Sequence, residues 1–309
     1  MSDDLLRCSP RVAAALQNGR PVVALETTVV THGLPAPDGV RTALLMEEAV
    51  RALGAEPATI GVLEGRVLVG MTHDELERLA ATPRVAKLNL SNLASCLATA
   101  AAGSTTVAAT LAVAHRAGIR VFATGGIGGV HRHAELSGDV SADLVALARY
   151  PLAVVCAGAK AVLDLPRTVE MLETLGVPIL GYATDAFPAF YRRSSGLPVD
   201  ARYDDVPTLA RAVRMHARLG LSTGVVVANP VPEADQLPED AYERALQGAQ
   251  EQADRAGVRG RAVTPFLLEH LRQATAGTSV AVNRALLLNN ARLAAQLAAA
   301  LEHEARSGR

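Results

Sequence analysis

Residues Pro151 to Ala183 read PLAVVCAGAKAVLDLPRTVEMLETLGVPILGYA. The run Pro151 to Cys156 is apolar and β-rich, and Gly158 breaks it. A segment of helical period follows from Pro166 to Leu175, Gly176 stops it, and Pro178 to Ala183 is a second apolar run. Apolar strands alternating with amphipathic helices are the pattern of a layered α/β/α fold with a central, largely parallel sheet.

The same alternation extends in both directions. Strands are predicted at Pro21 to Val30, Ala58 to Leu63, Arg66 to Met71, Ile119 to Thr124 and Gly224 to Asn229. Helices are predicted at Asp38 to Leu53, Ser104 to Ala117 and Ser141 to Arg149, with Ser104 and Ser141 as N-caps and Gly54 and Gly118 just past C-termini. The polar stretch Ser194 to Asp205 reads as a surface excursion. From about Ala241 the strands cease and three helices follow, ending in the Ala/Leu-rich stretch Val280 to Leu301. No Pro/Gly/Ser-rich linker precedes this helical C-terminal region, so it is expected to pack on the same domain, a single one over residues 1–309.

Half of the 309 residues are apolar, yet only 3% are aromatic and none is Trp, so Ala, Val and Leu must build the core. The formal net charge of −1 argues against nucleic acid or an anionic membrane as partner, because both require an excess of Lys and Arg. A small molecule is the expected partner. Cys8, Cys96 and Cys156 match no zinc or disulfide framework and read as reduced thiols of a cytoplasmic protein. The N-terminus MSDDLLRCSP lacks the basic and apolar regions of a signal peptide, and no stretch approaches ~18 uninterrupted apolar residues, so neither export nor a membrane span is expected.

In open parallel sheets ligands bind at the carboxyl ends of the strands, so the residues after each apolar run are the candidates for chemistry. Glu26, in ETTVVTHG, is a carboxylate inside a β-rich run, which is costly unless it is partnered or working. Gly125 to Gly129, followed by Val130 and His131, is either a phosphate cradle or a tight structural turn. Asp139, Ser141 and Asp143 offer oxygen ligands for Mg²⁺ or Mn²⁺, although helix capping alone accounts for Ser141 and Asp143. Lys87 has apolar flanks that suggest a semi-buried strand, and the Ser/Thr-rich helix start Ser104 to Val107 offers amides and hydroxyls to a phosphate. Lys160 follows the PLAVVC run with no carboxylate until Asp164. Desolvation, or a cation such as Lys87 or a metal beside it, would free its amine to attack an electrophilic carbon and form a Schiff base. The alternative is a helix-flanking lysine that reaches to water.

Together these stretches resemble the pseudouridine-5′-phosphate glycosidase family. The similarity runs in family order through VALETTVVTHGLPAP, LNLSNL, GSTTVAAT, FATGGIGGVHR, SADL, CAGAKAVLDLPRT, GYATDAFPAFY, VVVANPVP, VTPFLLEH and AVNRALLLNNA, which is most of the chain. The resemblance implies an enzyme that reversibly hydrolyses the carbon–carbon glycosidic bond of pseudouridine 5′-phosphate to uracil and ribose 5-phosphate, with a divalent cation, typically Mn²⁺, as a homotrimer. It places the nucleophile at Lys160, the proton donor at Glu26 and the metal ligand at Asp139. Substrate contacts fall on Lys87, Thr106, Val107, Ser141, Ala142, Asp143, His131 and Asn283. The chain departs from the family pattern at His133, usually Gly; Ala161, usually Ser; Ala186, usually Glu; and Val282, usually Ala. Two other readings fit parts of the sequence: a sugar or nucleoside kinase using the Gly-rich loop, for which the nucleotide lysine loop is missing, and a non-catalytic nucleotide-binding module.

Overall fold

The computed structural model describes residues 5–258 and 263–307. Its strands, in chain order, are β1 (Leu6–Cys8), β2 (Val22–Leu25), β3 (Glu56–Leu63), β4 (Arg66–Val69), β5 (Ala86–Leu88), β6 (Gly103–Thr105), β7 (Val121–Ala123), β8 (Ala153–Cys156), β9 (Ile179–Tyr182), β10 (Ala201–Tyr203) and β11 (Val225–Ala228). The helices are α1 (Pro10–Gln17), α2 (Asp38–Ala52), α3 (His73–Ala81), α4 (Leu93–Ala98), α5 (Val107–Arg116), α6 (Ala134–Ser137), α7 (Ala142–Arg149), α8 (Leu165–Thr174), α9 (Val206–Arg218), α10 (Glu239–Arg255), α11 (Val263–Ala274) and α12 (Thr278–Ser307).

The sheet runs β1-β4-β3-β2-β7-β8-β11-β9-β10, with β5 and β6 branching from β3. From β3 through β2, β7, β8, β11 and β9 to β10 every pairing is parallel; β4 and β6 run antiparallel to β3. All residues of β2, β7, β8 and β11 are buried, as strands covered on both faces must be. The covering helices include α12, which lies over β2, β7 and β8 between α2 and α9, and α5, which packs on α7 and reaches β2 and β3. The architecture is the layered α/β/α one. Val, Ala and Leu dominate its core, and Phe122 and Phe187 are among the largest fully buried side chains. No helix among the described residues is long and apolar enough to cross a membrane.

Local chemistry sets the ends of several elements. The Asp164 carboxylate accepts from the Arg167 amide and starts α8, and Ser141 caps α7 by accepting from the Asp143 amide. Gly54, Gly118 and Gly176 follow α2, α5 and α8 with φ of 79°, 80° and 69°, the left-handed conformation that closes a helix. Three expectations are corrected. The first long strand stops at Leu25, and Val29–Gly33 forms a π-helical turn, because the Thr27 hydroxyl is tied to the Ile60 carbonyl at 2.8 Å and Val30 N turns back to Thr27 O at 3.0 Å. Ser104 is not a cap: it is fully buried in β6, between Lys87 of β5 and Gly61 of β3, and Thr106 occupies the N-cap position of α5. Part of the Ser194 to Asp205 excursion is an edge strand, β10, paired with β9.

Candidate active site

Four of the expected residues meet in one pocket. Glu26, Lys87, Lys160 and Asn283 line a cavity of about 60 Å³ together with Gly125, Gly126 and Phe190. The first three follow or lie on β2, β5 and β8, and Asn283 comes down from α12. The pocket thus sits at the carboxyl ends of the strands, where a parallel sheet leaves backbone and side chains free to converge on a ligand.

Glu26 is 8% exposed and accepts hydrogen bonds from the hydroxyls of Thr28 and Thr124. Thr124 follows β7, and its carbonyl accepts from Asn290 Nδ2 at 2.8 Å; Asn290 Oδ1 in turn accepts from Asn229, just past β11, at 2.9 Å. The helix α12 therefore fixes two strand ends beside the carboxylate. Lys160 is delivered by a sharp turn in which Gly158 has φ 81° and a Cβ there would lie 1.9 Å from the Pro188 carbonyl oxygen. The Lys160 amide donates to Ile127 O at 3.0 Å, locking the lysine segment to the Gly-rich loop.

That loop is held by the protein. The amides of Ile127, Gly128, Val130 and His131 donate to Gly158 O, Asp143 Oδ2, Thr168 Oγ1 and Asp139 O respectively. Those four N–H groups are spent within the protein, so the stretch Ile127 to His131 is a tight structural turn rather than a phosphate cradle, while Gly125 and Gly126 line the pocket. Gly128 and Gly129 are required by packing: a Cβ would stand 2.2 Å from Ser141 Oγ at the first and 2.3 Å from Thr168 Oγ1 at the second.

Asp143, only 4% exposed, braces the same region by accepting from Gly128 N at 2.8 Å and from Ala108 N at 2.9 Å. Ser141, Ala142, Asp143 and Val107 thus surround the start of α5 and the back of the loop rather than lining the Glu26–Lys160 pocket. The amides of Thr105, Thr106 and Ala108 are spent on Thr27 Oγ1, Leu88 O and Asp143 Oδ1. The Thr106 hydroxyl is buried with no hydrogen-bond partner among the described residues.

His131 and Asp139 line a broader cleft of about 1010 Å³ with Asp164, Arg167 and residues of α10 and α11. Burial holds the His131 imidazole below its ordinary pKa; Asp139 opposes that, and Lys160 and Lys87 add to it. The ring therefore feels both candidate centres. Among the described residues no three His, Cys, Asp or Glu gather into a cage. One carboxylate, Asp139, beside an open cleft suits a hard cation that keeps most of its water, so the donor set fits Mn²⁺ or Mg²⁺.

His32, in the ETTVVTHG stretch just beyond the first strand, was given no role from the sequence. It lines the pocket, its Nδ1 lies 2.6 Å from Thr31 Oγ1 and 3.1 Å from Ser104 Oγ, and burial first, then Lys87, lowers its pKa. Thr28 and Thr124 were also missed, their one signal being a hydroxyl next to a strand end. Of the departures, His133 has φ 61°, in the left-handed region that favours glycine. Ala161 and Val282 are buried, and the Ala161 carbonyl accepts from Tyr242 at 3.3 Å.

Residues 11–300 match the family described as indigoidine synthase A like protein. The chain is 53% identical to the pseudouridine-5′-phosphate glycosidase of Methylobacterium nodulans over 308 residues, covering all of this chain and 91% of the relative. It is also 53% identical to that of a Jannaschia species, covering 96% of this chain and 98% of the relative. Among solved structures, the prealnumycin C-glycosynthase AlnA in complex with ribulose 5-phosphate superposes with a TM-score of 0.92 at 42% identity, covering 99% of this chain and all of that one. An indigoidine synthase A-like protein of Thermotoga maritima gives a TM-score of 0.88 at 35% identity, covering 96% of this chain and 97% of that one. The chain belongs to the indigoidine synthase A-like, pseudouridine-5′-phosphate glycosidase family.

Proposed function

We propose that this chain is a pseudouridine-5′-phosphate glycosidase, cleaving the C-glycosidic bond reversibly to uracil and ribose 5-phosphate through a lysine–sugar Schiff base. The observation that supports it most is the meeting of Glu26 and Lys160 in one small pocket at the ends of β2 and β8. Paired carboxylates of the usual glycosidase kind do not serve here, since the leaving atom is uracil C5 and offers no heteroatom to protonate. An amine beside an acid does serve.

In this reading Glu26 protonates the ribose ring oxygen while electrons shift from the pyrimidine, opening the ring and leaving C1′ electrophilic. The Lys160 amine adds to C1′. A proton delivered to C5 then breaks the carbon–carbon bond, giving uracil and an iminium between Lys160 and the sugar, which water hydrolyses. The phosphate is assigned to Lys87 and the unpartnered Thr106 hydroxyl, and Asn283 and His131 to polar groups of the substrate. A divalent cation such as Mn²⁺, held by Asp139 and water, would supply Lewis-acid and water-ordering chemistry. We assign the enzyme to the cytoplasm, in keeping with its three free cysteines, and expect a homotrimer, which light scattering on the eluting protein checks.

Release of uracil from pseudouridine 5′-phosphate, followed chromatographically with and without added Mn²⁺ after chelation, tests the assignment. Uracil released only with the intact enzyme, and less after chelation, supports it; intact substrate in every sample overturns it.

A further inference from the structure

We infer that His32 is a further catalytic residue, the base whose Nε2 takes the pyrimidine N1 proton as the ribose ring opens. The inference rests on the glycosidase reading above. Thr31 Oγ1 donates to Ser104 Oγ at 2.7 Å, and His32 Nδ1 lies 2.6 Å from the threonine oxygen and 3.1 Å from the serine oxygen; with the threonine proton directed to Ser104, we assign the hydrogen of the shorter contact to the imidazole Nδ1. Nε2 is then the unprotonated nitrogen, and no hydrogen bond to it is seen among the described residues. The ring is held from behind and faces the Glu26–Lys160 pocket on one side and a cleft containing Glu269 and Arg272 on the other.

The charged groups around the imidazole favour its neutral form. Lys87 on β5 and Lys160 after β8 share its pocket, and Lys87 disfavours an imidazolium; Glu26, also there, is hydrogen-bonded to two threonine hydroxyls. On α11, Glu269 is occupied by Arg272. Burial and Lys87 lower the His32 pKa accordingly. A neutral, anchored imidazole with one open lone pair is equipped to accept a proton.

The proton balance of ring opening requires such an acceptor. The N1–H pair moves to form N1=C6, the C6=C5 pair becomes C5=C1′, the C1′–O4′ pair stays on oxygen, and Glu26 supplies the proton that oxygen takes. The N1 proton goes to His32 Nε2. When Lys160 adds to C1′ the pairs return, and the imidazolium gives the proton back to N1.

The substitution His32→Asn separates anchor from base, because the asparagine Nδ2 occupies the place of Nδ1 and nothing replaces Nε2. Uracil release by H32N should fall by about 10²–10⁴ in kcat, with melting temperature unchanged. Borohydride trapping of ribose 5-phosphate on Lys160 involves no pyrimidine proton, so H32N should form that adduct as wild type does. Wild-type turnover in H32N, or loss of both release and adduct, overturns the role of His32. Absence of uracil release from the wild-type enzyme sinks the glycosidase reading instead.

Discussion

Asp143 Oδ2 accepts from the Gly128 amide at 2.8 Å, while its other oxygen accepts from Ala108 at 2.9 Å. One buried carboxylate therefore couples the Gly-rich loop to the start of α5, and the front of that loop forms a wall of the Glu26–Lys160 pocket.

Asp143→Ala should lose stability before any substrate is present. It leaves two buried amides unpaired, each costing about 1–3 kcal/mol, so the ligand-free variant should unfold at lower denaturant by roughly 2–6 kcal/mol. Were Asp143 only a substrate contact, the ligand-free denaturation curve would not move.

Gly158→Ala should be more damaging than its size suggests. The residue stands at φ 81°, and the added methyl would meet a backbone oxygen at 1.9 Å. The turn that delivers Lys160 must then shift, and a displacement near 1 Å at a reacting group costs about 10²-fold. Gly54→Ala, with φ 79° but open space around the methyl, is the control, because it carries the same backbone strain without the clash. Equal activity in the two variants would show that the clash does not reach Lys160.

The strand ends were readable because a parallel buried strand is written as an uninterrupted apolar run, and the polar residue that ends it is conspicuous. Lys160 was found that way, Glu26 as a carboxylate within its run, and Lys87 by its apolar flanks. The semi-buried strand suggested around Lys87 is β5. Local pattern failed where a long-range contact decides the outcome. Ser104 looks like a cap and is a strand residue because Gly61 and Lys87 flank it across the sheet. The TTVV segment has high β-propensity but turns, since Thr27 bonds the Ile60 carbonyl and meets the Thr105 hydroxyl of β6, while Thr28 bonds Glu26. Asn290 gave no local signal at all, its partner Thr124 lying 166 residues away.

Glu26→Gln keeps the volume and lets the flanking threonine hydroxyls reorient, so the variant should fold normally and lose about 10²–10⁴ in kcat as a missing proton donor. Lys160→Ala should abolish uracil release with little change in substrate affinity, because the amine acts after binding. Calorimetric titration with pseudouridine 5′-phosphate, beside the uracil assay, distinguishes these outcomes from a general loss of the pocket.

The three thiols should differ in reactivity. Cys156 ends β8, fully buried, and burial pushes its thiol up to about 12, against an ordinary value of 9.0. Almost no thiolate exists there at neutral pH, so iodoacetamide should label half-buried Cys8 first and Cys156 only after denaturation. The raised value also fixes a sign: the folded state favours the protonated thiol, so this contribution to stability is full below about pH 9 and is lost as pH rises toward 12. Labelling of Cys156 in the native protein at neutral pH, read by peptide mass spectrometry, would contradict the burial argument.

Asn290→Ala should connect the C-terminal helix to the chemistry. Asn290 is fully buried and holds the Thr124 carbonyl at 2.8 Å and the Asn229 amide at 2.9 Å, and the Thr124 hydroxyl bonds Glu26. Removing it strands an acceptor and a donor, each costing about 1–3 kcal/mol when buried, so stability should fall by roughly 2–6 kcal/mol. The strand end then loses the group that positions it, and Thr124 loses its aim at the carboxylate. We therefore expect kcat to fall in N290A while Asn289→Ala, which removes only the bond from Asn289 to Pro230 O at 3.1 Å, leaves kcat near wild type. Equal losses in the two variants would mean that α12 acts through its packing as a whole and that the Asn290–Thr124 bond has no specific part in placing Glu26.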